Sequence, residues 1–301
     1  MRRSSVGSFD LEGIFAPIPT PFEGDAISFT RLAENVTRWN ATRLAGLVVL
    51  GSNGEFVLLD EGEKEALVAR VRELAEPAKK VVAGTGCEST RATVRLTKAA
   101  AGAGADAVLV ITPHYYKGAM TEAALERYYK DVAEQSPVPV LLYNMPRSTG
   151  LNLTPGLAAR LAAHPNIVGI KDSGGDIAQI AEIVRTVPDG FRVFAGSAGF
   201  LLAALAVGAV GGTLALANIA PDQCCDVFDH WRAGRTEEAR RLQLRLLPAN
   251  RAVTARWGVA GLKAAMDMLG YFGGLPRAPL QPLEEPERLE LRRILAEARL
   301  L

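Results

Sequence analysis

Lys171 closes the run Asn166-Ile167-Val168-Gly169-Ile170 and opens Asp172-Ser173-Gly174-Gly175. A short, mostly apolar run ahead of a Gly-rich turn reads as a buried strand. A lysine at its last position sits where core meets loop, and desolvation there disfavours the ammonium and lowers its pKa. An uncharged amine can attack a ketone and form a Schiff base; the bland alternative is a lysine that buries its stem and keeps its charge in water. Tyr143, in Tyr143-Asn144-Met145-Pro146, reads either as a phenol placed to move protons or as a core aromatic satisfied locally. Gly51-Ser52-Asn53-Gly54-Glu55 reads as a cradle for a carboxylate, with Ser52 and Asn53 as donors, or as the cap of the following helix. Tyr115 and Tyr116, in Thr112-Pro113-His114-Tyr115-Tyr116, suit packing or an interface. Gly196-Ser197-Ala198-Gly199 is a tight turn or a place of close backbone approach to a ligand.

These segments share one position: each follows a strand-like run. Eight such runs occur, at Ile14–Ile18, Gly46–Leu50, Lys80–Ala83, Ala107–Ile111, Pro139–Tyr143, Ile167–Lys171, Arg192–Ala195 and Val210–Leu214. Helical patterns lie between them, as in Leu67, Val71, Leu74 and Ala75 on one helical face. Eight β/α units in series read as an α/β fold, a closed (β/α)8 TIM barrel, whose active residues sit at the C-terminal ends of its strands. Past Ala217 the pattern is helical, notably Thr236–Leu247 and Leu289–Leu300. The expected organisation is a flexible tail over 1–10, the barrel over 11–220, and a C-terminal helical extension over 221–301 packed on the barrel.

Composition narrows the partners. The chain has 301 residues, 49% hydrophobic and 22% charged, with a net charge of +1. Nucleic acid and anionic membrane are poor partners for so balanced a surface. The longest apolar stretch, Phe200 to Ala217, is broken by Gly208, Gly211 and Gly212 and reads as a helix and a strand, not a membrane span. The opening residues have no apolar segment of the secretory kind. Cys87, Cys224 and Cys225 form no disulfide framework, so a reducing compartment is expected. His114, His164 and His230 lack ligand spacing, so neither metal nor other cofactor is expected. If carbon–carbon bonds are cleaved here, an iminium on Lys171 is the electron sink. Two apparent motifs are set aside. Gly102 to Ala107 matches a dinucleotide fingerprint by letters but lies after a helix and before a strand, the reverse of the required order. Cys87 lacks an evident histidine partner and reads as structural.

Together, Gly51–Phe56, Gly86–Thr90 with Ala92-Thr93-Val94, Thr112-Pro113 with Tyr115-Tyr116, Tyr143-Asn144-Met145-Pro146, Lys171–Asp176, Ala195–Leu201, Gly208–Gly212 and Gly270–Leu280 resemble the dihydrodipicolinate synthase / N-acetylneuraminate lyase family. Within it the likeness runs toward the 4-hydroxy-2-oxoglutarate aldolases of the animal mitochondrial type. The resemblance implies a Schiff-base aldolase that handles pyruvate, with Lys171 as the imine lysine and Tyr143 as the proton-transfer group. It implies that Ser52 and Asn53 hold the substrate carboxylate and that Ser173 and Gly196 make further contacts. Tyr115 matches a tyrosine that reaches a neighbouring subunit's site, in homotetramers built from tight dimers. The implied location is cytoplasmic in a bacterium, or the mitochondrial matrix in an animal. In the family's synthases an arginine generally stands two residues after the proline of Tyr-Asn-x-Pro. Here that place is Ser148, and Arg147 stands one residue early. The Ser52-Asn53 pair also departs from the synthases' double threonine. Both differences turn the expectation from lysine biosynthesis toward cleavage of 4-hydroxy-2-oxoglutarate. The alternatives are 4-hydroxy-tetrahydrodipicolinate synthesis, a sugar-acid lyase or dehydratase and, in another class, a non-enzymatic 2-oxo acid sensor.

Overall fold

A computed structural model of the chain describes residues 11–301; the expected tail over 1–10 lies outside the described residues. Eight parallel strands close a barrel: β1 (Gly13–Pro17), β2 (Gly46–Val49), β3 (Lys80–Gly84), β4 (Ala107–Ile111), β5 (Val140–Asn144), β6 (Ile167–Asp172), β7 (Arg192–Ala195) and β8 (Gly211–Thr213). Consecutive strands are neighbours, and β8 returns to pair with β1. All eight lie where the sequence places them. The second stops one residue early because Leu50 adopts φ 60°, a left-handed conformation that ends a strand. A two-stranded antiparallel hairpin, Phe22–Glu23 with Ala26–Ile27, adds to the barrel and was not anticipated.

Alternation along each strand divides the core in two. Phe15, Val48, Val82, Leu109, Leu141 and Phe194 fill the barrel, with Phe15 and Phe194 edge to face at 5.7 Å. Their neighbours Ile14, Leu47, Val81, Val108, Leu142 and Val193 face outward into the helical layer. The fifth pairing breaks this rhythm. Val140 pairs with Ile167, but Leu141 pairs with Gly169, so Val168 is an inserted residue. Partners in a parallel pair share a face, and a one-residue slip moves every later side chain across the sheet. The bulge therefore places Lys171 opposite Tyr143, inside the barrel.

Helices are stopped and started by local chemistry. The helix Glu61–Leu74 begins with a capping box between Asp60 and Glu63, so Ser52 and Asn53 do not cap it. After β8, Pro221–Arg232 packs across β1 and against the helix Leu201–Ala206. The rest is helical: Thr236–Arg251, Gly258–Met268 and Glu285–Glu297. The first runs past Leu247 and through Pro248, and a π-helical turn at Ala252–Arg256 follows it. The last starts earlier than its apolar pattern because Glu284 and Glu287 form a capping box. Among the described residues no helix is long and apolar enough to cross a membrane. Gly102 ends a helix and Gly104 turns at φ 93° into β4, the context that disqualifies a dinucleotide loop.

Candidate active site

Lys171 and Tyr143 stand in register one residue before the ends of adjacent strands, both 5% exposed. The Lys171 Nζ lies 4.2 Å from the centroid of the Tyr143 ring. Beneath it the axis is packed by Phe15, Val48, Val82, Leu109, Leu141 and Phe194, leaving a cavity of about 10 Å³. Above it opens a cleft of about 490 Å³ lined by Tyr143, Ser52, Gly84, Gly86, Thr112, His114 and Ser148. Lys171 thus stands at the floor between a closed barrel and an open mouth. Burial pushes the Tyr143 phenol upward, but the Lys171 charge and hydrogen bonding to Ser52, Lys171 and Ser173 outweigh it. The net result holds Tyr143 below its ordinary value.

The Ser52–Gly54 turn forms the wall beside the phenol, with Ser52 Oγ 3.4 Å from Tyr143 Oη. Its 3₁₀ geometry leaves the first amides, at Ser52 and Asn53, without acceptors inside the turn. The turn is held from behind. Thr20 Oγ1 donates to the Gly54 carbonyl at 2.7 Å, and Asn53 Nδ2 donates to the Pro17 carbonyl at 3.4 Å. The Asn53 side chain is therefore engaged with β1 rather than free in the cleft.

Asp172, buried beside Lys171, anchors the β6 end. It accepts from Gly174 N at 2.8 Å, Asn144 Nδ2 at 2.7 Å and Gln179 Nε2 at 3.0 Å. Asn144 in turn accepts from Leu153 N at 3.0 Å. Sequence reasoning noted Asp172 and Asn144 only as neighbours of the chemistry; three charge-assisted bonds make Asp172 the hub that fixes the strand end. Gly196 N donates to the Asp172 carbonyl at 2.7 Å. A Cβ on Gly196 would lie 1.9 Å from Ser173 Oγ, so this close approach requires glycine. Of the expected site residues, Ser52 and Tyr143 line the cleft, Ser173 hydrogen-bonds the phenol, Gly196 abuts Ser173, and the Asn53 side chain turns to β1.

Tyr115 does not line the cleft. It is 77% exposed, with Tyr116 73% exposed and its ring edge-on at 5.1 Å. Glu88, which the sequence did not single out, accepts from the backbone N–H of His114 and Tyr115 at 2.9 and 2.8 Å and meets His114 Nδ1 at 3.1 Å. Cys87 lines the cleft, and burial raises its thiol, the reverse of what a nucleophile needs. Arg147 turns away, donating to the Ala255 carbonyl at 2.9 Å, while Ser148 lines the cleft. Among the described residues no three metal-binding side chains gather.

A closed parallel barrel with a buried lysine against a tyrosine at its C-terminal mouth defines a class: Schiff-base (β/α)8 enzymes. The chain belongs to the dihydrodipicolinate synthetase family, whose model matches residues 10–298. It is accordingly a carbon–carbon lyase of the Schiff-base-forming kind. The 4-hydroxy-tetrahydrodipicolinate synthase of Methanoculleus marisnigri is 36% identical over 289 residues, covering 95% of this chain and 98% of the relative. A probable mitochondrial 4-hydroxy-2-oxoglutarate aldolase of Emericella nidulans is 34% identical over 294 residues, covering 96% and 95%. A dihydrodipicolinic acid synthase family protein from a prophage of E. coli K12, solved in complex with pyruvate, superposes with a TM-score of 0.90 at 32% identity, covering 96% and 99%.

Proposed function

We propose that the chain is a class I aldolase that cleaves 4-hydroxy-2-oxoglutarate to pyruvate and glyoxylate through an iminium on Lys171. One observation carries the reading: Lys171 Nζ lies against the Tyr143 ring, and Tyr143 Oη faces Ser52. The amine attacks the C2 ketone of a substrate whose carboxylate is held by the Ser52 and Asn53 amides; water leaves and the iminium forms. Tyr143 takes the proton of the C4 hydroxyl. The C3–C4 bond breaks, its electron pair passes to the iminium, and glyoxylate departs. The resulting enamine is protonated at C3 and hydrolysed to pyruvate, which frees Lys171. Ser173 and Gly196 border the substrate, and holding the carboxylate fixes C2 against both groups. No other cofactor enters the scheme.

The choice of aldehyde rests on Ser148 and Arg147. With Ser148 in the cleft and Arg147 bound to the Ala255 carbonyl, the arginine implied for a synthase is missing from the mouth. A second reading, condensation of pyruvate with aspartate semialdehyde, is supported by the synthase names of relatives such as that of M. marisnigri. Steady-state assays with 4-hydroxy-2-oxoglutarate and with pyruvate plus aspartate semialdehyde separate the two. A kcat/KM larger for the second pair overturns the first reading. Turnover of either kind excludes a mere sensor. The exposed Tyr115-Tyr116 pair supports a homotetramer with Tyr115 at a tight-dimer interface, where it would reach a neighbouring cleft; sedimentation measures this directly. Three free cysteines support a reducing location such as the cytoplasm.

A further inference from the structure

Directly behind the Ser52–Gly54 turn the chain buries a second set of charges that the chemistry above does not use. Glu55 follows the turn at φ 57°, a left-handed conformation strained for a non-glycine residue. Its Oε1 meets Lys263 Nζ at 2.6 Å, and both side chains are 0% exposed. Lys263 belongs to the helix Gly258–Met268 and also donates to the Leu275 carbonyl at 3.0 Å. The other carboxylate oxygen of Glu55 accepts from Arg277 N at 2.7 Å. Arg277 grips Glu63 through two bonds, at 2.7 and 2.6 Å, and the Leu58 carbonyl at 3.0 Å. Packing leaves no slack: a Cβ on Gly273 would lie 2.0 Å from the Lys263 carbonyl. A buried ion pair is a weak source of stability, since an apolar pair of similar volume often does as well. What this pair adds is geometry. It ties a strained residue, two positions after Asn53, to helical segments distant in sequence.

We propose that Glu55 and Lys263 are positioning residues for the 2-oxo acid carboxylate, fixing the Ser52–Gly54 turn to the C-terminal helices. The proposal rests on the reading of Ser52 and Asn53 as the carboxylate site. Removing the tether lets the turn relax away from Tyr143. The effect falls on the hold of the carboxylate rather than on the amine that attacks the ketone.

The test uses borohydride trapping of the full chain with pyruvate in K263M, E55A and the double variant E55Q/K263M, with thermal melting alongside. K263M strands a buried carboxylate and lowers the melting temperature; the double variant removes both charges and regains most of it. The pyruvate concentration for half-maximal trapping rises about tenfold or more in all three, the loss expected when one hydrogen bond to a charged group is weakened, while the rate at saturation changes little. Half-saturation that stays at the wild-type value in the folded variants overturns the positioning role. So does half-saturation that returns with melting temperature in the double variant, which would make the pair a structural fastener alone. A wild-type chain that never traps pyruvate brings down the Schiff-base reading and this inference together.

Discussion

Tyr143→Phe removes one oxygen from the floor of the site and nothing else. The ring that packs against Lys171 remains, as does the register between their strands. The phenol's 3.4 Å contact with Ser52 is lost, along with its hydrogen bonding to Lys171 and Ser173. A typical hydrogen bond contributes about 0.5–1.5 kcal/mol net, so the cost to stability is expected to be a few kcal/mol at most. Catalysis should respond differently. A positioned proton-transfer group contributes about 10²–10⁴-fold, which at 1.36 kcal/mol per tenfold is roughly 3–5 kcal/mol of barrier. Turnover is therefore expected to fall by at least two orders of magnitude while the chain keeps a cooperative thermal transition. Linkage gives an independent check. The folded phenol sits below its ordinary value of 10.0, so between the folded value and 10 the unfolded chain binds more protons. Wild-type stability therefore gains on Y143F as pH rises through that window, and the gain is lost as pH falls through the folded value. Turnover within tenfold of wild type, or a stability difference flat across the alkaline window, would refute the assignment of Tyr143 as the proton carrier.

Lys171→Ala should abolish the borohydride-trapped pyruvate adduct, read by intact mass, and keep a cooperative thermal transition; an adduct of unchanged yield would place the imine elsewhere. Gly196→Ala drives a methyl group to 1.9 Å from Ser173 Oγ and 2.8 Å from the Asp172 carbonyl. Overpacking there is expected to cost about 1–3 kcal/mol in denaturant melts. Ser173→Ala in the same chain should recover only part of that loss, because the Asp172 contact remains; full recovery would contradict the packing described. Glu63 is held below its ordinary 4.5 first of all by its hydrogen bond from Arg277. A depressed carboxylate stabilises above its unfolded pKa and loses that contribution as pH falls through the folded one. The stability gap between wild type and Glu63→Gln should thus be full at neutral pH and shrink below about 4.5; a constant gap in acid melts would show that the Arg277 contact carries no charge dependence.

Much of this was legible because strand ends carry their own signal. The eight apolar runs separated by helical periods gave the barrel, and residues at the ends of four runs gave Lys171, Tyr143, Ser52, Ser173 and Gly196 as companions. What escaped is nonlocal or too short to have a period. The hairpin at Phe22–Ile27 has two-residue strands, below the length at which alternation can be read. Glu55 and Lys263 look in sequence like ordinary surface charges; only the docking of the C-terminal helices buries them. Glu88 resembles any exposed acid until the Thr112–Tyr116 loop folds over it and brings two backbone amides within reach. Tyr115 was legible as an aromatic at a strand end, and its side chain points into solvent.

The most consequential hidden feature is the insertion at Val168. Continued from Val140 opposite Ile167 without interruption, the pairing would set Tyr143 against Ile170 and aim Lys171 at the helical layer. Burying an ammonium among the aliphatic residues there would be far more costly than leaving it at the barrel mouth. The bulge repeats one inward position, so both polar groups face the barrel interior and both aliphatic neighbours, Leu142 and Ile170, stay in the outer core. Gly169 makes the insertion possible: a Cβ there would lie 2.3 Å from the Arg192 carbonyl and 2.8 Å from Leu141 Cδ2. A glycine in a strand often marks such an irregularity, so the run Ile167-Val168-Gly169-Ile170-Lys171 did contain the clue. Its meaning depends on a neighbouring strand that the run itself does not name. The chemistry at the mouth therefore rests on a parity set three residues earlier in the backbone, and Lys171 and Tyr143 meet only because the fold counts Val168 out of register.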